Sequence, residues 1–256
     1  MQALHNFKSM FVISLYNLKG GVGKTSSCVN FAYMAAADGY KTLLWDLDPQ
    51  GAASFYYTAQ PKQKGTAKKL IAQDINLEDT ILATGYENLD IIPADVSARK
   101  FDALLEDTKK SKKQLKGLLK QVSADYDFVF IDCPPAFSLL TDNIFQASDM
   151  IFMPVIPTTL SVRTYQMVKE YLENNNFELE KLACFFTMAD LRKNMHKEVM
   201  QQLYKDKRFF EHYIPNLSHV ERMGTELAPL AVFAPSSYAN TCYKALWDEV
   251  KEGVLE

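Results

Sequence analysis

Residues 20–25 read Gly-Gly-Val-Gly-Lys-Thr, and they lie between a short apolar run, Phe11–Tyr16, and a stretch of helix formers and small apolar residues, Thr25–Ala37. Strand, glycine loop and helix in that order form a cradle for phosphate. Glycines let backbone N–H groups curl round phosphate oxygens, and the start of the helix adds its dipole. The common phosphate-loop pattern, G-x-x-x-x-G-K-[ST], needs a glycine five residues before Gly23; Leu18 stands there instead. The physics survives that change. Lys24 has the reach to meet β- and γ-phosphates, and the Thr25 hydroxyl suits a Mg²⁺ ligand. A glycine turn carrying an exposed lysine is the alternative, and the strand–loop–helix context argues against it.

The rest of the chain repeats the alternation. Lys41–Trp45, Leu89–Ile92, Phe128–Ile131, Met150–Val155 and Leu182–Thr187 read as further strands, with Phe209–Ile214 as a seventh. Helical patterns lie between them. Leu115, Leu118, Leu119 and Val122 fall at i, i+3, i+4 and i+7, one face of a helix, and Val162–Asn174 and Lys193–Lys205 read similarly. Apolar strands separated by helices predict an α/β fold with a doubly wound, mostly parallel sheet flanked by helices. With no linker, repeat or composition break, residues 1–256 read as one domain, residues 1–9 being a short extension.

Two strand ends carry acids. Asp46-Leu47-Asp48-Pro49-Gln50-Gly51 follows the second strand, and Asp132-Cys133-Pro134-Pro135 follows the Phe128 run. Ligands of open α/β sheets bind at the carboxyl ends of strands, so Asp46, Asp48 and Asp132 are expected beside the glycine loop. Mg²⁺ on phosphates keeps several waters, which carboxylates can hold. Asp142 and Asp149 read as helix-cap or turn residues.

Composition removes several classes. With 31 acidic against 28 basic side chains the net charge is −3, which argues against a wholly basic nucleic-acid binder and leaves room for a local patch. No apolar run approaches the ~18–20 residues of a membrane span, and no signal-peptide pattern opens the chain. Cys28, Cys133, Cys184 and Cys242 form no close pair, which suits a reducing cytoplasm better than a zinc ribbon or a disulfide scaffold.

Lys19–Thr25 (KGGVGKT) resembles the deviant Walker A motif of the ParA/MinD family of P-loop ATPases. Asp46–Gly51 is similar to the family's DxDPQG segment, and Phe128–Pro135 to its Walker B and switch II. The likeness spans residues 10–250, and DPQG points to the ParA partition branch, in a small form without the N-terminal helix-turn-helix domain. Leu18 stands where the family usually has Gln, and Ser26 where it has Thr. The resemblance implies a SIMIBI-like P-loop fold, with ATP and Mg²⁺ as cofactors and hydrolysis to ADP and phosphate. It implies an ATP-sandwiched homodimer in which Lys19 reaches the partner's phosphates and Lys24 its own. Gly20, Gly21, Val22, Gly23 and Ser26 complete the loop. Thr25 would ligate Mg²⁺, Asp46 and Asp132 would hold its waters, and Asp48 would position the attacking water. Pro134–Phe137 would form switch II. Thr187–Asp190 and Pro235–Ser237 lie where relatives wrap the base, Pro235 among them.

ParA relatives bind DNA without sequence preference, and MinD relatives bind membrane through a basic amphipathic C-terminal helix. The segment 243–256 carries more acids than lysines, which makes a membrane helix a poor fit, and Trp247 reads as a core residue. Arg192, Lys193 and Arg222 are the DNA-contact candidates, within a wider set of Lys197, Lys205, Lys207 and Arg208. Lys109–Lys120 is a second basic stretch, read as a solvated helix face. The expected partners are non-specific double-stranded DNA and a ParB-like or adaptor protein that stimulates hydrolysis, in a prokaryotic cytoplasm on the nucleoid. Three rivals are a MinD-like membrane switch, a cysteine-bearing redox relative, and a metabolic enzyme of the same fold, which has no need of a lysine at position 19.

Overall fold

The computed structural model describes residues 9–60, 65–95, 101–106 and 113–255. Its strands are β1 (Phe11–Leu15), β2 (Thr42–Asp46), β3 (Leu82–Ala83), β4 (Leu89–Ile92), β5 (Phe128–Asp132), β6 (Met150–Val155) and β7 (Leu182–Phe186). Its helices are α1 (Lys24–Ala37), α2 (Ala52–Tyr56), α3 (Thr66–Ile71), α4 (Phe101–Glu106), α5 (Gln114–Leu119), α6 (Leu139–Ala147), α7 (Thr159–Asn174), α8 (Asn194–Leu203), α9 (Ser218–Glu226), α10 (Leu230–Phe233) and α11 (Tyr238–Leu255). The strands form one sheet in the order β3-β4-β2-β5-β1-β6-β7. All neighbours run parallel except β3, which pairs antiparallel with β4.

Alternation along β5 shows how the sheet is covered on both faces. Val129 and Ile131 point into one apolar layer with Leu115, Leu118, Ile144 and Val168 from α5, α6 and α7. Phe128 and Phe130 point into the other, with Phe31 of α1 and Leu246 and Trp247 of α11. A strand buried on both faces has to be apolar at every position, and all of β5 is apolar until Asp132. The leucine face of α5 is buried as its spacing requires, and Val122 extends it in a following 3-10 turn. The lysines on the outer side of that segment, Lys113, Lys116 and Lys120, are exposed; Lys109, Lys110 and Lys112 lie outside the described residues.

Phe209–Ile214 is not a strand. This segment lies along the outer edge of β7, with one isolated bridge, Cys184 to Phe209, and with the Phe210 and Ile214 N–H groups donating to the Cys184 and Phe186 carbonyls, each at 2.8 Å. Its apolar residues serve packing instead: Phe209 stacks on Phe186 and meets Tyr165 edge-on. The seventh strand is the two-residue β3 at the opposite edge. Cys28, Cys133 and Cys184 are buried and free of disulfides, as small core residues. Among the described residues no helix is long and apolar enough to cross a membrane. The apolar side of α11 is committed to the core: Tyr243, Leu246, Trp247 and Val250 are all buried, and the Trp247 indole N–H donates to Asp38 at 2.9 Å.

Candidate nucleotide site

The register of β2, β5 and β1 brings three chemical groups to one edge of the sheet. Asp46 is the direct neighbour of Asp132 across β2 and β5, and Asp132 is the neighbour of Leu15 across β5 and β1. The chain leaves β1 through Tyr16 and Asn17 into the glycine loop. Asn17 shapes its entry: its amide donates to the Pro154 carbonyl at 2.8 Å, and its oxygen accepts the Lys19 N–H at 2.9 Å. Gly21 and Gly23 have φ of +71° and +88°. Both values lie in the left-handed region that residues with a Cβ rarely adopt, and Gly23 is the residue from which α1 starts.

Lys24 is buried and folds back over the loop, donating to the Lys19 carbonyl at 2.9 Å. Burial pulls its pKa down, and the neighbouring Asp132 opposes that. The Thr25 hydroxyl donates to Asp132 Oδ2 at 2.7 Å, while the other Asp132 oxygen is buried with no hydrogen-bond partner. A buried carboxylate oxygen without a partner is costly. Burial first, and the Asp46 charge second, hold the Asp132 pKa well above the usual carboxylate range. Burial likewise pushes Asp46 up to about 6, against the hydrogen bonds it accepts from Ser54. This donor set fits a divalent cation: one hydroxyl, one buried carboxylate short of a partner and a second carboxylate beside it, all at the lip of a phosphate cradle. Among the described residues no three His, Cys, Asp or Glu side chains form a separate metal cluster.

Asp48 is half-buried. Its N–H donates to Asp46 Oδ1 at 3.2 Å and its carboxylate accepts the Gln50 N–H at 2.9 Å, which ties the Asp48–Gly51 turn to the site. Lys19 is half-buried at the loop's rim, and the Ser26 hydroxyl caps back onto the Gly23 carbonyl at 3.2 Å. Lys19–Ser26, Asp46, Asp48 and Asp132 are therefore all brought together.

Two supporting residues carry no sequence signal of their own. Ser54, in α2, gives both its N–H and its hydroxyl to Asp46 Oδ2 at 2.8 and 2.7 Å, and accepts from the Ala94 N–H. Thr187, at the end of β7, donates to the Val22 carbonyl at 2.8 Å. It therefore holds the glycine loop, where the sequence placed it with the base-wrapping segment. Pro235 is exposed, and its carbonyl accepts the Asn240 amide at 2.9 Å. The Tyr243 hydroxyl lies 3.1 Å from the Ser27 hydroxyl, which sets α11 against the start of α1.

A protein-family model described as an AAA domain matches residues 10–181. Over 250 residues the chain is 31% identical to the sporulation initiation inhibitor protein Soj of Bacillus subtilis, covering 93% of this chain and 97% of that one. This chain belongs to the ParA/MinD-type family of P-loop ATPases. The chromosome partitioning protein ParA of Myxococcus xanthus is 29% identical over 251 residues, covering 93% and 87% of the two chains, which sets the chain in the partition branch. A variant of McdA from Cyanothece in complex with ATP shares the ParA-type fold, with a TM-score of 0.81, 18% identity and 96% of each chain covered.

The cationic residues expected to meet DNA lie apart from this site and already have partners. Arg192 holds Asp190 through two nitrogens, at 2.9 and 3.0 Å, and Lys193 lies 4.0 Å from the same carboxylate. Arg222 pairs with Glu226 one turn on, and its guanidinium sits 5.7 Å from the centre of the Phe233 ring. All three cations are more than half exposed.

Proposed function

We propose that the chain is one ParA-type domain working as an ATP-dependent switch. Two copies close on ATP, the closed pair binds double-stranded DNA without sequence preference, and hydrolysis stimulated by a ParB-like or adaptor partner releases it. The cargo so positioned or partitioned is a plasmid, a chromosome region or a large protein assembly in a prokaryotic cytoplasm. The observation that carries this reading is the meeting of Lys24, Thr25, Asp132 and Asp46 at the ends of three adjacent strands, with Lys19 on the rim.

In this reading Lys24 gives up the Lys19 carbonyl for the β- and γ-phosphates, and Lys19 extends to the phosphates of the other copy. Two lysines facing one another without nucleotide repel, which makes pairing depend on ATP. Thr25, Asp132 and Asp46 hold Mg²⁺ and its waters; the ion supplies charge neutralisation at the phosphates. Asp48 orients the attacking water, and placement with charge stabilisation provides the rate. Arg192, Lys193 and Arg222 exchange their carboxylate partners for DNA phosphates. Exposed ion pairs are worth about 0–1 kcal/mol, so the exchange costs little. A MinD-like membrane role is the alternative, and the burial of the apolar side of α11 counts against it.

The test is binding to non-specific duplex DNA with ATP, with ADP and without nucleotide, across a salt series. Binding that needs ATP, falls steeply with salt and ignores sequence is expected. ATP-dependent dimers that ignore DNA in every state would move the reading to a membrane or protein scaffold.

A further inference from the structure

The loop that leaves Asp132 is held from two sides. On the side of the phosphate loop, the Tyr16 hydroxyl donates to the Ala136 carbonyl at 3.0 Å, and Thr141 Oγ1 donates to the same carbonyl at 2.7 Å. Tyr16 is fully buried, so this anchor belongs to the core. On the other side is α7. The Phe137 ring lies flat on the Tyr171 ring, with centroids 3.9 Å and planes 10° apart. The Tyr171 hydroxyl donates to Asp142 Oδ1 at 2.6 Å, and Asp142 sits in the first turn of α6, the helix capped by Ser138 immediately after Phe137. A single side chain of α7 thus grips both the loop and the helix into which it runs. Phe137 and Tyr171 are each only half-buried, and a second neighbour of the Phe137 ring is the buried Tyr16, with centroids 6.3 Å apart.

We propose that Tyr171 is a positioning residue for the nucleotide site: by clamping Phe137 it holds the Pro134–Ala136 segment in place beside Asp132, and it couples the state of that segment to α7. The proposal rests on the ATPase reading of the site and assigns its regulation to a particular contact. Tyr171 acts through Phe137. The hydroxyl serves to orient the ring, and the ring face does the clamping. Flat aromatic pairs depend on both faces, so a leucine of similar bulk does not replace either partner.

The experiment is a double-mutant cycle on steady-state ATP hydrolysis, with thermal denaturation in parallel. Tyr171→Phe keeps the ring and is expected to hold kcat within about twofold of wild type. Tyr171→Leu and Phe137→Leu are each expected to lower kcat about 3- to 10-fold with KM for ATP nearly unchanged. The double variant should be no slower than the slower single one, because both remove the same contact. Unchanged kcat in Tyr171→Leu, with or without a lower Tm, overturns the proposal, and so do losses that multiply in the double variant. A wild type that hydrolyses no ATP would sink the ATPase reading instead. The clamp is then read by amide hydrogen exchange over residues 136–140, which Tyr171→Leu is expected to speed and which, unchanged, overturns it.

Discussion

Replacing Thr187 by Val tests the construction of the phosphate loop without touching any group that meets phosphate. The two side chains have nearly the same shape, and only the donor to the Val22 carbonyl is lost. Thr187 and Val22 are both buried, so water does not replace it readily. Leaving a buried acceptor unpaired costs roughly 1–3 kcal/mol. In a chain of this size each kcal/mol moves Tm by about 2–4 °C, so the nucleotide-free protein should melt roughly 2–12 °C lower. If instead the empty loop relaxes to satisfy that carbonyl, the cost shifts from folding to binding. Tm then recovers, and the Kd for ATP rises by the same free energy, about 5- to 150-fold. The sum of the two is what the geometry fixes. Calorimetric melting without nucleotide and ATP titration with Mg²⁺ measure the two parts, and Thr187→Ser, which keeps the hydroxyl, is the control. A Thr187→Val protein with wild-type Tm and wild-type ATP affinity would refute the reasoning, as would a Ser variant that behaves like Val.

Four further outcomes are expected. Lys19→Ala should lose ATP-dependent dimerisation and hydrolysis while keeping the wild-type fold by circular dichroism; a variant that dimerises and turns over normally removes the cross-protomer role. Asp48→Ala should bind ATP and dimerise but hydrolyse at least about a hundredfold more slowly, the lower end of what a positioned acid or base contributes, and single-turnover kinetics would detect the difference. His196 is buried, and its Nδ1 accepts the Asp190 N–H at 3.1 Å; burial, helped by Lys193 and opposed by Asp190, lowers its pKa. The unfolded chain therefore binds the proton more readily, so stability is full above the ordinary histidine value of about 6.5 and declines as pH falls through it. Melting curves from pH 7.5 to 5.5 should show a drop that His196→Phe lacks, and parallel curves would exclude His196 as the cause. Arg222→Glu should abolish ATP-dependent DNA binding while leaving dimerisation intact, since the repulsion it adds against Glu226 is only about 0.5 kcal/mol; unchanged, salt-sensitive binding in gel-shift titration would remove Arg222 from the surface.

The sequence announced the parts of this molecule whose residues are chemically unusual for their place. β4 and β6 match their sequence runs residue for residue: Asn88 and Pro93 bracket β4, and Asp149 immediately precedes β6. The loop, Lys24, Thr25, Asp46 and Asp132 stood out because lysine and aspartate at the ends of buried strands need a reason. The short helices α2, α3 and α4 were not legible. Each has five or six residues, and contacts distant in sequence help to hold them, such as the Ala94 N–H on Ser54 in α2 and the Leu140 N–H on Asp102 in α4. Phe209–Ile214 misled because an apolar run beside a sheet edge has the composition of a strand whether or not it completes the ladder. Thr187 and Ser54 were invisible in their roles, since a hydroxyl at a strand end or in a short helix is commonplace, and only the fold shows what it faces.

Neither margin of the sheet presents a long open strand. At one, the 208–216 segment lies against β7 and takes up its backbone groups at Cys184 and Phe186; at the other stands β3, two residues long and reversed in direction. An open strand edge is a template on which further chains polymerise irreversibly. If copies gather along DNA as proposed above, they would live at a local concentration where such templating is most dangerous. With one margin covered and the other cut to two residues, strand pairing between neighbouring copies is disfavoured, which would keep such crowding reversible.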